Sequence, residues 1–106
     1  METSVSEWVR VAGALDIPAE TGKEFAVRGR IVALFNVAGT FYAMDGVCPH
    51  AGGPLGEGVL TGRVVTCPWH GWQFDVTSGQ HCLNANLRHQ AFPVRLEGSD
   101  VLIELP

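Results

Sequence analysis

The sequence lacks most features of a helical, membrane-bound or nucleic-acid-binding protein. No stretch of its 106 residues approaches the ~20 consecutive apolar residues that a transmembrane helix needs. Helical periodicity is nearly absent. Seven Lys and Arg residues against eleven Asp and Glu residues give a net charge of −4, so the chain has no basic stripe to neutralise a phosphate backbone. We therefore expect no membrane span and no nucleic-acid partner.

Cysteine is also scarce, with residues only at Cys48, Cys67 and Cys82. An odd, small number of cysteines does not make a disulfide scaffold and is more typical of metal chemistry in a reducing compartment. The chain does not start with a basic segment followed by an apolar run, the pattern of a secretory signal. We therefore predict a cytoplasmic protein.

Turn-forming residues are plentiful, with 13 glycines and 6 prolines. Short apolar runs separated by frequent turn signals are typical of an all-β sandwich or barrel. A short helical turn is expected around Asp16. The sequence predicts strands over residues 8–12, 23–27, 30–36, 40–44, 64–66, 72–76, 80–83, 92–97 and 100–105.

The glycines are concentrated in one part of the chain. Eight of the 13 lie between Asp45 and Leu83, which indicates loops with unusual backbone angles rather than long strands. Functional residues concentrate on loops held by a rigid scaffold. We interpret residues 1–106 as a single domain, in which residues 45–83 form an inserted functional subdomain on an antiparallel β-sandwich or barrel base.

Two cysteine–histidine pairs lie in this inserted segment. Cys48 and His50 are separated by one residue, Cys67 and His70 by two, and sixteen residues lie between the pairs. Thiolate and imidazole are the side chains that bind borderline and soft metals. The pattern therefore predicts a four-ligand metal site. A zinc-stabilised interaction module is one alternative, although zinc ligands are usually two to four residues apart.

The pattern resembles that of the Rieske proteins, in which Cys-x-His is followed some sixteen or seventeen residues later by Cys-x-x-His. The similarity extends to Gly-Gly-Pro-Leu at residues 52–55, to Gly-Trp-Gln-Phe-Asp at residues 71–75 and to Phe-Pro-Val at residues 92–94. It therefore covers nearly the whole chain.

The resemblance implies the Rieske fold and one [2Fe-2S] cluster per chain. In such centres one iron is held by two Cys and the other by two His. Carried over by position, Cys48 and Cys67 would hold one iron, and His50 and His70 the other.

The sequence departs from the respiratory-chain branch of that family. That branch has two additional cysteines joined as a disulfide, at positions where this chain has Gly53 and Trp69. It also has Ser and Tyr hydroxyls that bond to sulfur, where this chain has Trp72 and Phe74. Each missing donor leaves negative charge on sulfur less stabilised. We therefore expect a potential at the low end of the range of about −150 to +300 mV that Rieske centres span.

The resemblance implies a soluble one-electron carrier rather than an enzyme. Its partners would be an NAD(P)H-dependent flavin reductase and a terminal ring-hydroxylating oxygenase. The small Rieske subunit of an assimilatory nitrite reductase is an alternative. A catalytic oxygenase is not expected, because only His81 and His89 are left for a second iron site. The chain, which we take to be complete from Met1, also ends 36 residues after His70.

Three further side chains near the predicted site carry expectations. His81 and His89 are expected to be solvated surface residues, and Cys82 to be a small packed thiol. Trp69 lies between two predicted ligands, where its ring would either shield the cluster or form an exposed apolar docking rim. The segment after His81 has no proline, so the sequence leaves its shape open.

Overall fold

A computed structural model of the protein describes residues 7–48, 52–69, 71–84 and 86–106. Antiparallel strands dominate these residues, which confirms the predicted all-β class. The strands are β1 (Glu7–Gly13), β2 (Thr21–Val27), β3 (Arg30–Val37), β4 (Thr40–Asp45), β5 (Val59–Thr61), β6 (Val64–Thr66), β7 (Gln73–Asp75), β8 (Gln80–His81), β9 (Ala91–Phe92), β10 (Val94–Glu97) and β11 (Asp100–Leu105).

The strands form three sheets. The first has the order β1-β11-β10, the second β2-β3-β4-β9, and the third β5-β6-β7-β8. The pairing of β1 with β11 joins the two ends of the described chain in one sheet. The third sheet comes entirely from the glycine-rich segment and is separate from the other two.

Strand β3 lies in the middle of the molecule and is buried on both faces. Successive side chains of a strand point to opposite faces, and all four residues from Val32 to Phe35 are fully buried. Val32 and Leu34 pack into a core shared with the first sheet. Ala33 and Phe35 pack into a second core shared with the third sheet. The apolar run over residues 31–35 predicts a strand buried on both faces. This prediction is confirmed at these four positions and wrong at Ile31, which is 39% exposed.

The second core contains two of the three cysteines. Cys48 and Cys67 lie in it beside the buried side chains of Leu55, Val65 and Phe74. Cysteine is a small apolar side chain when uncharged and packs well in such surroundings. The third sheet is therefore held to the second by a core that includes the two predicted sulfur ligands.

The predicted strand over residues 92–97 is wrong in one respect, because it is two strands in different sheets. Pro93 lies between β9 and β10, and a proline has no N–H to continue a hydrogen-bonded ladder. β9 pairs with β4 in the second sheet, whereas β10 pairs with β11 in the first. The chain thus crosses from one sheet to the other at Pro93.

Helical structure in the described residues consists of short 3₁₀ turns at Ala14–Asp16 and Leu55–Glu57. The first corresponds to the predicted helical turn. Among the residues that the structure describes, no helix has the length and hydropathy to cross a membrane.

Glu24 of β2 connects the second sheet to the loop that follows β4. Its Oε2 accepts a hydrogen bond of 2.7 Å from the Gly56 N–H, and a Cβ atom at Gly46 would come within 2.7 Å of the same oxygen. Burial raises the pKa of this carboxyl above its ordinary value, the Gly56 N–H partly opposes the shift, and the charges of Glu57 and Asp45 add to it. Folding therefore favours the protonated form of Glu24.

We predict that Glu24→Gln removes a pH dependence of stability. A raised pKa makes the contribution of Glu24 to stability fully present below pH 4.5 and lost as the pH rises through the raised value. The melting temperature of the wild-type protein, measured against that of E24Q from pH 4 to pH 7, should therefore fall as the pH rises. The corresponding change in the free energy of unfolding should be less than about 1 kcal/mol, because solvent screens the group. A constant difference across this range would contradict the assignment.

Candidate iron–sulfur site

The first cysteine lies in a loop closed by its own backbone. The Cys48 N–H donates to the Gly53 carbonyl at 2.9 Å, and the Gly52 N–H donates to the Cys48 carbonyl at 2.8 Å. Gly52 has φ of 77°, a conformation that glycine adopts without steric cost. The Leu55 N–H donates to the Gly46 carbonyl at 2.9 Å and closes the loop at its base. Cys48 is thereby fixed just beyond the end of β4.

The second cysteine is held in the same way. Cys67 follows β6, and its N–H donates to the Trp72 carbonyl at 2.8 Å, immediately before β7 begins. The pairing of β6 with β7 brings the two ends of this loop together. Each predicted sulfur ligand therefore lies at the start of a loop whose ends are fixed by backbone hydrogen bonds.

The two thiols meet between these loops. Cys48 is 1% and Cys67 2% exposed, and both belong to the same buried cluster. Burial raises the pKa of the Cys67 thiol, the Trp69 backbone N–H opposes the shift by donating to its sulfur, and the neighbouring Cys48 raises it further. Two sulfur atoms sharing a dry site is the arrangement expected of two ligands to one metal ion.

Gly53 gives the Cys67 sulfur the space it occupies. A Cβ atom at this position would lie 2.9 Å from the Cys67 Sγ and 2.9 Å from Cγ of Trp69. Both distances are shorter than an ordinary van der Waals contact. The first loop therefore approaches the second closely enough to form a cradle that a larger residue would fill. This cradle, with the two buried thiols, fits the sulfur half of a Rieske cluster site.

The structure brings together two of the four predicted ligands. His50 and His70 lie outside the described residues. Within the ranges that the structure covers, no group of three or more His, Cys, Asp or Glu residues is placed to hold a metal ion. The histidine half of the predicted site stays a prediction from the sequence.

The expectations for the remaining polar residues near the site are wrong. His81 is 7% exposed rather than solvated, and its Nδ1 accepts a hydrogen bond of 3.1 Å from the Leu83 N–H. His89 is half-buried, with its Nε2 3.0 Å from the Asp45 carbonyl oxygen. Because a carbonyl can only accept, Nε2 of His89 carries the proton. Cys82, expected to be packed, is exposed.

A signal for the burial of His81 is present in the sequence. The Thr77-Ser78-Gly79 turn predicts a hairpin, and the structure places Phe74 opposite His81 across it. Side chains opposite each other lie on the same face of a sheet, so a residue paired with a core phenylalanine must also face inward. The hairpin register, rather than the polarity of histidine, determines where this side chain lies.

Trp69 is 52% exposed, and Val47, which directly precedes Cys48, is 45% exposed. Of the two interpretations of Trp69, the exposed apolar rim describes the observed side chain better than a fully shielding ring. Each of the two buried cysteines thus has an exposed apolar residue within two positions of it in the chain.

Comparison with known proteins identifies the family to which these features correspond. The family model for the Rieske [2Fe-2S] domain matches residues 7–98, which include both cysteine–histidine pairs. The match also extends over strands of all three sheets.

Two relatives are similar over nearly the same length. The ferredoxin component of the naphthalene 1,2-dioxygenase system of Pseudomonas aeruginosa is 33% identical over 100 residues, covering 93% of this chain and 96% of the relative. The ferredoxin component of the alkene monooxygenase system of Xanthobacter autotrophicus is 41% identical over 98 residues, covering 92% of this chain and 80% of the relative.

A solved structure supports the same relationship. The ferredoxin of carbazole 1,9a-dioxygenase from Nocardioides aromaticivorans superposes with a TM-score of 0.83 at 29% sequence identity. The match covers 91% of this chain and 95% of that one. The predicted Rieske fold is confirmed.

We predict that Gly53→Ala displaces the Cys67 sulfur and lowers cluster retention. Crowding of a packed core costs about 1–3 kcal/mol, and the clash involves a predicted ligand. Iron per chain after purification, measured against the wild-type protein, is the readout. Gly52→Ala is the control, because Gly52 has positive φ but no atom within 4 Å of an added Cβ. G52A should lose stability and keep its iron, and equal iron loss in the two variants would contradict the steric explanation.

Proposed function

Since this chain belongs to the Rieske [2Fe-2S] domain family, we propose that it is a one-electron carrier of an oxygenase system. The observation that carries the proposal is the convergence of the buried Cys48 and Cys67 thiols between two closed loops. The bound cluster would supply a centre that gains and loses one electron. The relatives support a carrier rather than an enzyme, because both are named ferredoxin components.

We propose four ligands for the cluster. Cys48 and Cys67 would hold one iron through sulfur, and His50 and His70 the other through ring nitrogen. The described geometry supports the cysteine pair, and the sequence spacing supports the histidine pair. Residues 45–83 would then form the cluster-binding subdomain of a single domain.

The protein around the thiols would control the charge on their sulfur atoms. Burial raises the pKa of the Cys67 thiol, so the metal would supply the positive charge that keeps this residue as a thiolate. The Trp69 N–H donates to the Cys67 sulfur and stabilises negative charge there. The close approach of Gly53 leaves no space for water at that side of the sulfur.

The proposed partners are a flavin-dependent NAD(P)H reductase that donates electrons and a terminal oxygenase of the ring-hydroxylating type that accepts them. Both relatives belong by name to oxygenase systems. The exposed apolar side chains of Val47 and Trp69 support transient docking, since electron-transfer encounters bury small areas. We further propose a cytoplasmic location, which the free cysteines of the chain support.

We predict that Cys48→Ser and Cys67→Ser each abolish the cluster. Serine lacks the soft thiolate that holds this iron, so iron, inorganic sulfide and visible colour should all be lost. Cys82→Ser is the matched control, because Cys82 is exposed and lies outside the thiol pair. C82S should keep full iron content. Full colour in C48S or C67S would refute the ligand assignment, and iron-free folded wild-type protein would refute the proposed function.

We predict a negative midpoint potential for the wild-type protein. Reduction adds negative charge to the cluster, and the positions that supply hydroxyl donors to sulfur in the respiratory-chain branch hold Trp72 and Phe74. With fewer donors, the potential should lie toward about −150 mV. A redox titration followed by the rhombic EPR signal of the reduced cluster tests this, and a clearly positive midpoint would contradict it.

A further inference from the structure

His81 forms a hydrogen bond that holds an otherwise exposed loop. It ends β8, it is buried, and its Nδ1 accepts from the Leu83 N–H at 3.1 Å. A ring nitrogen that accepts a hydrogen bond must keep its lone pair. The neutral ring therefore carries its proton on Nε2.

The other side of the same ring packs against aromatic side chains. The Trp72 ring lies at a centroid distance of 4.7 Å and an angle of 90°, and the Phe74 ring at 5.1 Å and 83°. Nε2 is buried and has no hydrogen-bond partner among the described residues. An N–H facing aromatic rings gains only a weak interaction, so burying Nε2 costs free energy. A phenylalanine would avoid that cost, but it could not accept the Leu83 N–H.

We call residues 82–84 and 86–87 the His81 loop. Hydrogen bonds join its two ends, because the His81 N–H donates to the Leu87 carbonyl at 2.9 Å and the Leu87 N–H to the Asn84 carbonyl at 3.1 Å. Leu83, between these ends, is 88% exposed, so apolar burial does not hold it. The Cys82 N–H also donates to the Gln73 carbonyl at 2.9 Å, so the bond from Leu83 to Nδ1 of His81 holds the loop beyond Cys82.

The His81 loop forms one wall of a cavity next to the second cysteine loop. The cavity has a volume of about 400 Å³, and Trp72, His81, Leu83 and Leu87 are among the residues that line it. Gly71 also lines it and directly follows the proposed ligand His70. The carbonyl of Trp72 accepts the Cys67 N–H. Trp72 therefore contacts His81 through its ring and the cysteine loop through its backbone.

We propose that His81 is a positioning residue for the cluster site. Its neutral ring holds Leu83 through Nδ1 and packs on Trp72, so that the His81 loop limits the access of water to the cavity beside Gly71. The effect on the cluster rests on the proposed function, whereas the role of His81 in holding the loop does not.

Two substitutions separate the hydrogen bond from the space that the ring fills. In His81→Asn, the side-chain oxygen occupies nearly the position of Nδ1 and can accept the Leu83 N–H. In His81→Gln, the polar atoms occupy the region of Nε2 instead, so the acceptor for Leu83 is lost. The readout is hydrogen–deuterium exchange of the Leu83 amide in the purified, cluster-containing protein, resolved by mass spectrometry with fragmentation.

Leu83 should exchange about tenfold faster in H81Q, and within about threefold of the wild-type rate in H81N, since a tenfold change corresponds to the 1.4 kcal/mol of one hydrogen bond. His81→Phe keeps the aromatic packing without an acceptor and should behave as H81Q does, which provides a second test if H81Q does not fold.

His89→Gln is the matched control. It replaces a neighbouring half-buried histidine that donates to Asp45, and it should leave Leu83 unchanged. Equal exchange in the wild type, H81Q and H81F, or equal acceleration in H81N and H81Q, would overturn the proposal.

The midpoint potential supplies a readout that loop stability alone would not move. Water beside the cluster stabilises the more negative reduced form, so the potential should rise in H81Q and H81F and stay at the wild-type value in H81N. Faster Leu83 exchange with an unchanged potential would overturn the role in positioning the site. Protein without a cluster would refute the proposed function and leave the exchange measurement to decide the role of His81 in the loop.

Discussion

The burial of β3 on both faces is the constraint on which the rest of the structure depends. A strand with Val32 and Leu34 on one side and Ala33 and Phe35 on the other is stable only if each face is covered. The first sheet covers one face and the third sheet covers the other. The third sheet is therefore packed on a core rather than attached by flexible loops, and the loops that extend from it start from fixed positions.

The cysteine site depends on that second core. Cys48 and Cys67 are core residues as well as proposed ligands, so the same packing that closes the core excludes water from the thiols. Ionising a thiol in such surroundings is unfavourable unless a cation accepts its charge. Cluster binding and folding are therefore coupled at this site. The close approach of Gly53 to the Cys67 sulfur shows how little space the backbone leaves there.

Two histidines outside the proposed ligand set connect the parts of the site in different ways. His89 donates through Nε2 to the Asp45 carbonyl and links the last part of the chain to the first cysteine loop. His81 accepts through Nδ1 from Leu83 and contacts the ring next to the second cysteine loop. Both rings pack against Phe74, at 5.1 Å and 5.6 Å. Nε2 therefore carries a proton in both rings. His89 donates through this nitrogen, whereas His81 accepts through its other nitrogen, Nδ1.

Turn residues, apolar runs and ligand spacing are local patterns, and they were enough to predict the all-β class, most strand positions and the family. The apolar run over residues 31–35 also predicted a strand buried on both faces, although Ile31 is 39% exposed. The division of residues 92–97 between two sheets depends on which neighbour each half pairs with, so the local pattern could not show it. The burial of His89 depends likewise on contacts with distant residues, whereas that of His81 follows from a hairpin that the sequence marks by its turn. Histidine is compatible with water or a core, and only the residues opposite it across a hairpin or against its ring decide between them.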